Sequence, residues 1–95
     1  MQEIIAPILE RRARRALDSR SVPSEVRDRI LHAATLAPSC FNNQPWRFLV
    51  FDESQPLKKA KQFLMGGNYW AERAPLIIGV VTRTDLDCQL DGGRY

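Results

Sequence analysis

The sequence predicts a mixed α+β or α/β domain, with helices layered on a small sheet. Three observations carry this. Apolar residues recur near helical spacing in two early segments. "WRFLVFD" and "APLIIGVVT" are apolar runs of strand length and composition. The resulting order of elements is ααβαβ, which fits a sheet covered by helices.

Each element has its own grounds. Ile4, Ile5, Ile8 and Leu9 outline a first helix from Gln2 towards Arg12, and Ala13, Ala16 and Leu17 continue the apolar spacing. Pro7 is tolerable there if it falls near the first turn, where its missing N–H costs nothing. "LDSRSVP" weakens helix propensity. Pro23 then suits the first position of a second helix, whose apolar row is Val26, Ile30, Leu31 and Ala34. Pro38 ends it near Leu36, because the residue before a proline avoids the helical region. His32, midway along, reads as partly buried packing. Trp46–Asp52 is a strand. "SQPLKKAKQFLM" is a third helix, with Ser54 as its cap and Pro56 early in its first turn. "GGNYW" breaks it. Ala74–Thr82 is a β-branched run suited to a strand buried on both faces. In the polar stretch that follows, Asp91 is a candidate cap for a further helix.

Composition narrows the class. The chain has 95 residues, 44% hydrophobic and 26% charged, which are ordinary globular values. That length makes one domain or part of one, with a small core if it folds alone. No apolar run reaches the roughly 18 residues of a membrane span, so no membrane partner is expected. The N-terminus has its acid before the apolar residues and its arginines after them, the reverse of a secretory signal, so a cytoplasmic protein is expected. Cys40 and Cys88 lie far apart, without a CxxC or a His partner. The expectation is therefore no metal, and in that compartment no disulfide.

Charge is uneven. Residues 1–47 hold eight arginines and five acids, net +3, whereas residues 48–95 hold six bases and six acids, net zero. The cluster "ERRARRALDSR" suits a phosphate or polyanion partner. The bland alternative is a solvated surface, or complementing the negative end of the first helix at about 0.3–1 kcal/mol per arginine.

"APSCFNNQPWRF", Ala37 to Phe48, does not look like core. It places Ser39, Cys40, Asn42, Asn43 and Gln44 between Pro38 and Pro45, then exits at Trp46. Read alone it is a helix-to-strand turn, with its asparagines in turn conformations. Together with "RRARRAL", Arg11 to Leu17, it resembles the FMN-dependent nitroreductase family. That family has an Arg-Arg-Ser-x-Arg segment, then Ala-Pro-Ser-x-x-Asn-x-Gln-Pro-Trp-x-Phe running into a strand. The resemblance covers essentially all of this chain, but only the N-terminal half of a typical member. It implies an α+β fold, a nitroreductase-like three-layer α/β/α sandwich, here with only the N-terminal helices and first two strands.

The resemblance also implies roles. Arg11, Ala13 and Arg15 occupy the positions that grip the FMN phosphate. Ala13 lacks the usual hydroxyl, which leaves its backbone and puts Arg12 or Arg14 forward as substitutes. Pro38, Ser39, Cys40 and Asn42 would contact the isoalloxazine or ribityl chain. Gln44 and Pro45 would fix the exit, and Trp46 would anchor it. Tyr69 and Trp70 are candidates for the substrate side, with aromatic packing the favoured reading. No Ser/His/Asp or Cys/His catalytic constellation is present, and a flavin makes none necessary. The implied activity is ping-pong transfer from NAD(P)H to nitroaromatics, quinones or related small electrophiles. The implied assembly is a homodimer with FMN at its interface. The rival readings are a small basic nucleic-acid-binding module and a flavin-free relative of the family. The neutral second half and the Gln-Pro-Trp loop have no role in the nucleic-acid reading, so no nucleic acid partner is expected. The strand "APLIIGVV" needs more cover than two strands and three helices supply, so the reading frame is expected to continue past Tyr95, or a second chain to supply the rest. "DGGRY" is then expected to begin a long core helix.

Overall fold

A computed structural model describes residues 2–64 and 66–94, with side chains from Ile5 onward. Met65, the last residue expected in the third helix, lies outside them, as do Tyr95 and the side chain of Ile4. Helix α1 spans Gln2–Glu10 and α2 spans Ser24–Thr35. Strand β1 (Trp46–Phe51), α3 (Ser54–Gln62) and β2 (Ile77–Thr82) follow. Two short strands, β3 (Gln89–Leu90) and β4 (Gly93–Arg94), complete the described elements.

Helix α1 stops two residues earlier than its apolar spacing suggests, and 11–23 carry no regular structure. Pro7 lies in the second turn of this helix, not the first. It removes a hydrogen bond there, and one further turn remains before the helix ends. Helix α2 starts just after Pro23, whose carbonyl accepts from Arg27 N–H at 3.0 Å. His32 is exposed rather than partly buried. Ser54 does not cap α3: Glu53 holds the cap position, and no side chain there bonds to the helix.

Strands β1 and β2 pair antiparallel, with Trp46 opposite Thr82 and Phe51 opposite Ile77. Arg83 N–H donates to Pro45 O at 2.8 Å, which extends the ladder one step towards the Ala37–Phe48 loop. Helix α3 packs on β1. The Arg27 guanidinium ties α2 to the end of β1 through Asp52, with Nη1 to Oδ2 at 2.5 Å. Gly79 sits against Leu49 and Phe51.

The C-terminal stretch corrects the helix expectation. Asp91 and Gly92 take left-handed φ of 49° and 80°, and join β3 to β4 as a tight antiparallel hairpin. Asp-Gly is a strong two-residue turn signal, and it wins over Asp91 as a helix cap. Just before this hairpin, Arg83 grips Asp85 with two bonds, Nη2 to Oδ2 at 2.5 Å and Nε to Oδ1 at 3.1 Å. Those hydrogen bonds hold the Asp85 carboxyl below its ordinary range. A carboxylate depressed by folding contributes stability above its unfolded value, about 3.9, and loses it as pH falls through the folded value. An NMR titration is expected to place the Asp85 midpoint below that reference, and Arg83→Gln to return it. A wild-type midpoint at or above the reference would show that the pair does not form in solution.

The core is small. Among the described residues only Ala71, Ala74 and Cys88 are buried, and none is large. Strand β2 is not buried on both faces: Val80 and Val81 are exposed. The apolar row of α1, Ile5, Ile8 and Leu9, is also exposed. A compact monomer of this mass has roughly 5,600 Å² of accessible surface, and this chain has 8349 Å². Its radius of gyration is 16.4 Å, against about 12 Å for a compact chain of this length.

Candidate functional site

The loop after α2 is held in an uncommon shape. Phe41, Asn42 and Gln44 all take left-handed φ, at 53°, 55° and 51°. Non-glycine residues visit this region rarely, and a cluster of them persists only where the surroundings over-determine it. The determinants are visible. Asn42 N–H donates to Ser39 O at 3.0 Å, and Asn43 N–H to Cys40 O at 3.1 Å. The Ser39 hydroxyl accepts from Gln44 N–H at 3.0 Å. So Ser39 shapes the loop from within. Phe41, Asn42 and Gln44 stand exposed on it.

Trp46, at the exit, is half-buried and is not one of the three buried core residues. The Trp46 ring lies 5.8 Å from that of Phe48, tilted by 30°. Its Nε1 is buried with no hydrogen-bond partner among the described residues.

A disulfide joins Cys40 to Cys88, with Cα atoms 5.9 Å apart. This overturns the expectation of free thiols. That expectation rested on compartment, whereas the loop and the turn before β3 bring the two Cβ atoms into bonding range. Asn43 Nδ2 adds a weak contact to Cys88 Sγ at 3.9 Å.

The arginine segment is irregular, so the four-residue spacing of Arg11 and Arg15 does not set them on one helical face. Arg12 turns back on α1, its Nη1 donating to the carbonyls of Leu9, Glu10 and Arg11 at 3.3, 3.3 and 2.8 Å. It satisfies the open end of the helix, as the alternative reading supposed. Arg20 pairs with Asp18 at 2.9 Å. Arg11, Arg14 and Arg15 are exposed and make no ion pair among the described residues. Ala13 is exposed on the same segment.

Arg15 meets Tyr69 and Trp70 around a cavity of about 660 Å³, lined also by Leu17, Glu72 and Arg73. That size suits a small-molecule site. Tyr69 is 80% exposed, so it is not packing. Trp70 is half-buried, and its Nε1 donates to Asn68 Oδ1 at 3.2 Å. Pro38, Ser39, Cys40, Asn42 and Gln44 do not line this cavity. The structure therefore sorts the candidates into two groups: Arg15, Tyr69 and Trp70 line the cavity, and Pro38–Gln44 stand apart from it. Sequence reasoning missed Arg73 and the role of Cys88. The second had a signal: the cysteine count is even. Among the described residues, no three His, Cys, Asp or Glu side chains gather to hold a metal ion. No helix is long and apolar enough to cross a membrane among those residues.

Comparison with known proteins gives a consistent result. The chain is 35% identical over 78 residues to a protein of Archaeoglobus fulgidus described as an NADH dehydrogenase/NAD(P)H nitroreductase. That match covers 82% of this chain and 45% of that protein. It is 33% identical over 63 residues to rat iodotyrosine deiodinase 1, covering 66% of this chain and 22% of the enzyme. A crystal structure of a nitroreductase family protein from Clostridium difficile superposes with a TM-score of 0.75 at 29% identity. It covers 90% of this chain and 48% of that one, which shows the α+β nitroreductase fold. The chain thus spans less than half the length of each of these relatives. With the nitroreductase family model matching residues 8–76, the chain belongs to the nitroreductase family.

Proposed function

We propose that this chain is the N-terminal half of a nitroreductase-like domain in a cytoplasmic, FMN-dependent oxidoreductase. The observation that carries the reading is the loop Pro38–Gln44. Three non-glycine residues are held in left-handed backbone there, beside exposed polar side chains. Such cost is characteristic of ligand-holding segments. The guanidiniums of Arg11 and Arg15, without an ion pair among the described residues, supply the second half of the fit. A planar, permanently charged fork suits the dianionic phosphate of FMN. Arg12 is occupied by carbonyls, and Ala13 offers only its backbone. FMN held there would supply the redox chemistry between NAD(P)H and a nitroaromatic, quinone or related small electrophile. The residues of this chain bind and orient. Ser39 fixes the loop, Asn42 and Gln44 present polar groups, and Tyr69 and Trp70 line the acceptor side.

The working unit is a homodimer with FMN at its interface. The arginine segment and the Pro38–Gln44 loop lie at opposite ends of α2, about 18 Å long at 1.5 Å per residue, which favours two flavins shared between two chains over one flavin within one. Surface is available for this: about 2,700 Å² beyond a compact monomer is left for the rest of the domain and a second chain to cover. Sedimentation of the purified full-length protein, followed at both protein and flavin absorbance, tests both statements. A yellow dimer is expected. A colourless protein would overturn the flavin reading, and a yellow monomer would overturn the dimer.

A further inference from the structure

We propose that Cys40 and Cys88 form a reversible thiol–disulfide site that sets the flavin affinity of the loop it closes. This rests on the FMN reading above. Cys40 opens the 3-10 turn whose next residues, Phe41 and Asn42, carry left-handed φ. Cys88 sits 48 residues later, between the turn Thr84–Leu86 and β3. The segment after β2 thereby clamps the loop at two points. One is the hydrogen bond from Arg83 N–H to Pro45 O, and the other is the disulfide. The rest of the loop's order is internal, through Ser39 O, Ser39 Oγ and Cys40 O. Cutting the disulfide removes the covalent clamp nearest the left-handed residues. Asn43 Nδ2 loses its contact with Cys88 Sγ if that residue moves away. The loop then samples lower-energy backbone, and ordering it again on binding draws on the affinity for ligand.

The two sulfurs differ in access. Cys40 is exposed, whereas Cys88 is 2% exposed. An incoming thiolate therefore attacks Cys40 Sγ. A new S–S bond forms between the reductant and Cys40, and Cys88 departs as a thiolate that takes up a proton. The second thiol of a dithiol reductant then attacks the mixed disulfide and closes its own ring. Cys40 is released and protonated. Two electrons and two protons have passed to the protein, and one dithiol has become a disulfide. A cytoplasmic setting, where lasting disulfides are rare, favours a pair that cycles.

Coupling is reciprocal: if closing the disulfide tightens FMN, FMN protects the disulfide by the same factor. A factor on the order of tenfold is expected, within the usual range for coupled sites, and tenfold corresponds to about 30 mV for a two-electron couple. The test measures FMN affinity of the purified, flavin-stripped protein in three forms. These are air-oxidised wild type, wild type reduced with a dithiol that is then removed without air, and Cys88→Ser. Alkylation and mass analysis count the thiols, and circular dichroism checks the fold. Expected are a linked pair in the oxidised form, tenfold weaker binding in the reduced form, and binding by Cys88→Ser that matches the reduced form whatever the redox conditions. If Cys88→Ser fails to fold, the midpoint potential of the wild-type pair with and without FMN decides, with a shift of about 30 mV expected. Equal affinity in oxidised and reduced wild type, or two free thiols after oxidation, would overturn the switch and leave the flavin reading intact. No FMN binding in any form would overturn both.

Discussion

Arg15→Ala is expected to weaken FMN binding by roughly ten- to a hundredfold. Charge-assisted hydrogen bonds contribute about 1.5–3 kcal/mol, and each 1.4 kcal/mol is about tenfold in affinity. The side chain is exposed, makes no ion pair among the described residues and lines the cavity shared with Tyr69, Trp70 and Arg73. Its removal therefore leaves the fold without an orphaned partner. Riboflavin has no phosphate and is expected to lose little on the same change, so the two ligands separate phosphate binding from general damage. Arg15→Lys is expected to fall between, because it keeps the charge but not the fork. Calorimetric titration with both ligands checks this. Equal losses for FMN and riboflavin would show that Arg15 does not hold the phosphate.

Opening the Cys40–Cys88 link is expected to cost about 4 kcal/mol of unfolding free energy, in a chain-entropy estimate for a loop of this length. The linked unfolded chain has fewer conformations to gain, and no other covalent tie spans these residues. Against a domain stability of about 5–15 kcal/mol this is a large share. Urea unfolding of oxidised wild type, reduced wild type and Cys88→Ser checks it. Both open forms are expected to shift to lower urea by similar amounts. Cys88→Ser carries a small extra loss, because its hydroxyl enters a buried place. An unchanged midpoint in the reduced wild type would remove the disulfide from any account of stability.

Legibility followed the reach of each interaction. The long periodic and apolar runs give α2, β1, α3 and β2 nearly in place, because their pattern and composition are local signals that need no distant contact. The end of α1 was missed by two residues, since Ala13, Ala16 and Leu17 keep the spacing after the backbone has left the helix. Asp91–Gly92 carries a hairpin signal, which wins over both Asp91 as a helix cap and the long helix implied by the resemblance. Ser54 looked like a cap, yet the helix took Glu53 there without any side-chain bond. In the site, the Pro38–Gln44 loop was visible as composition. Its left-handed backbone was not, because Phe41 and Gln44 have no intrinsic preference for that region. The disulfide depends on a contact across 48 residues, which no local reading reaches.

The thin core has a consequence for how the protein is made. Translation at about 5–20 residues per second delivers these residues over several seconds. Strands β1 and β2 can pair as soon as Thr82 has cleared the ribosome, and each then offers one open edge of backbone donors and acceptors. Val80 and Val81 lie bare beside that edge. Until another surface closes over it, this sheet edge is a template for any passing strand. Expression yield is therefore expected to depend on how fast this face is covered, and charged substitutions at Val80 or Val81 are expected to lower aggregation of the unassembled chain.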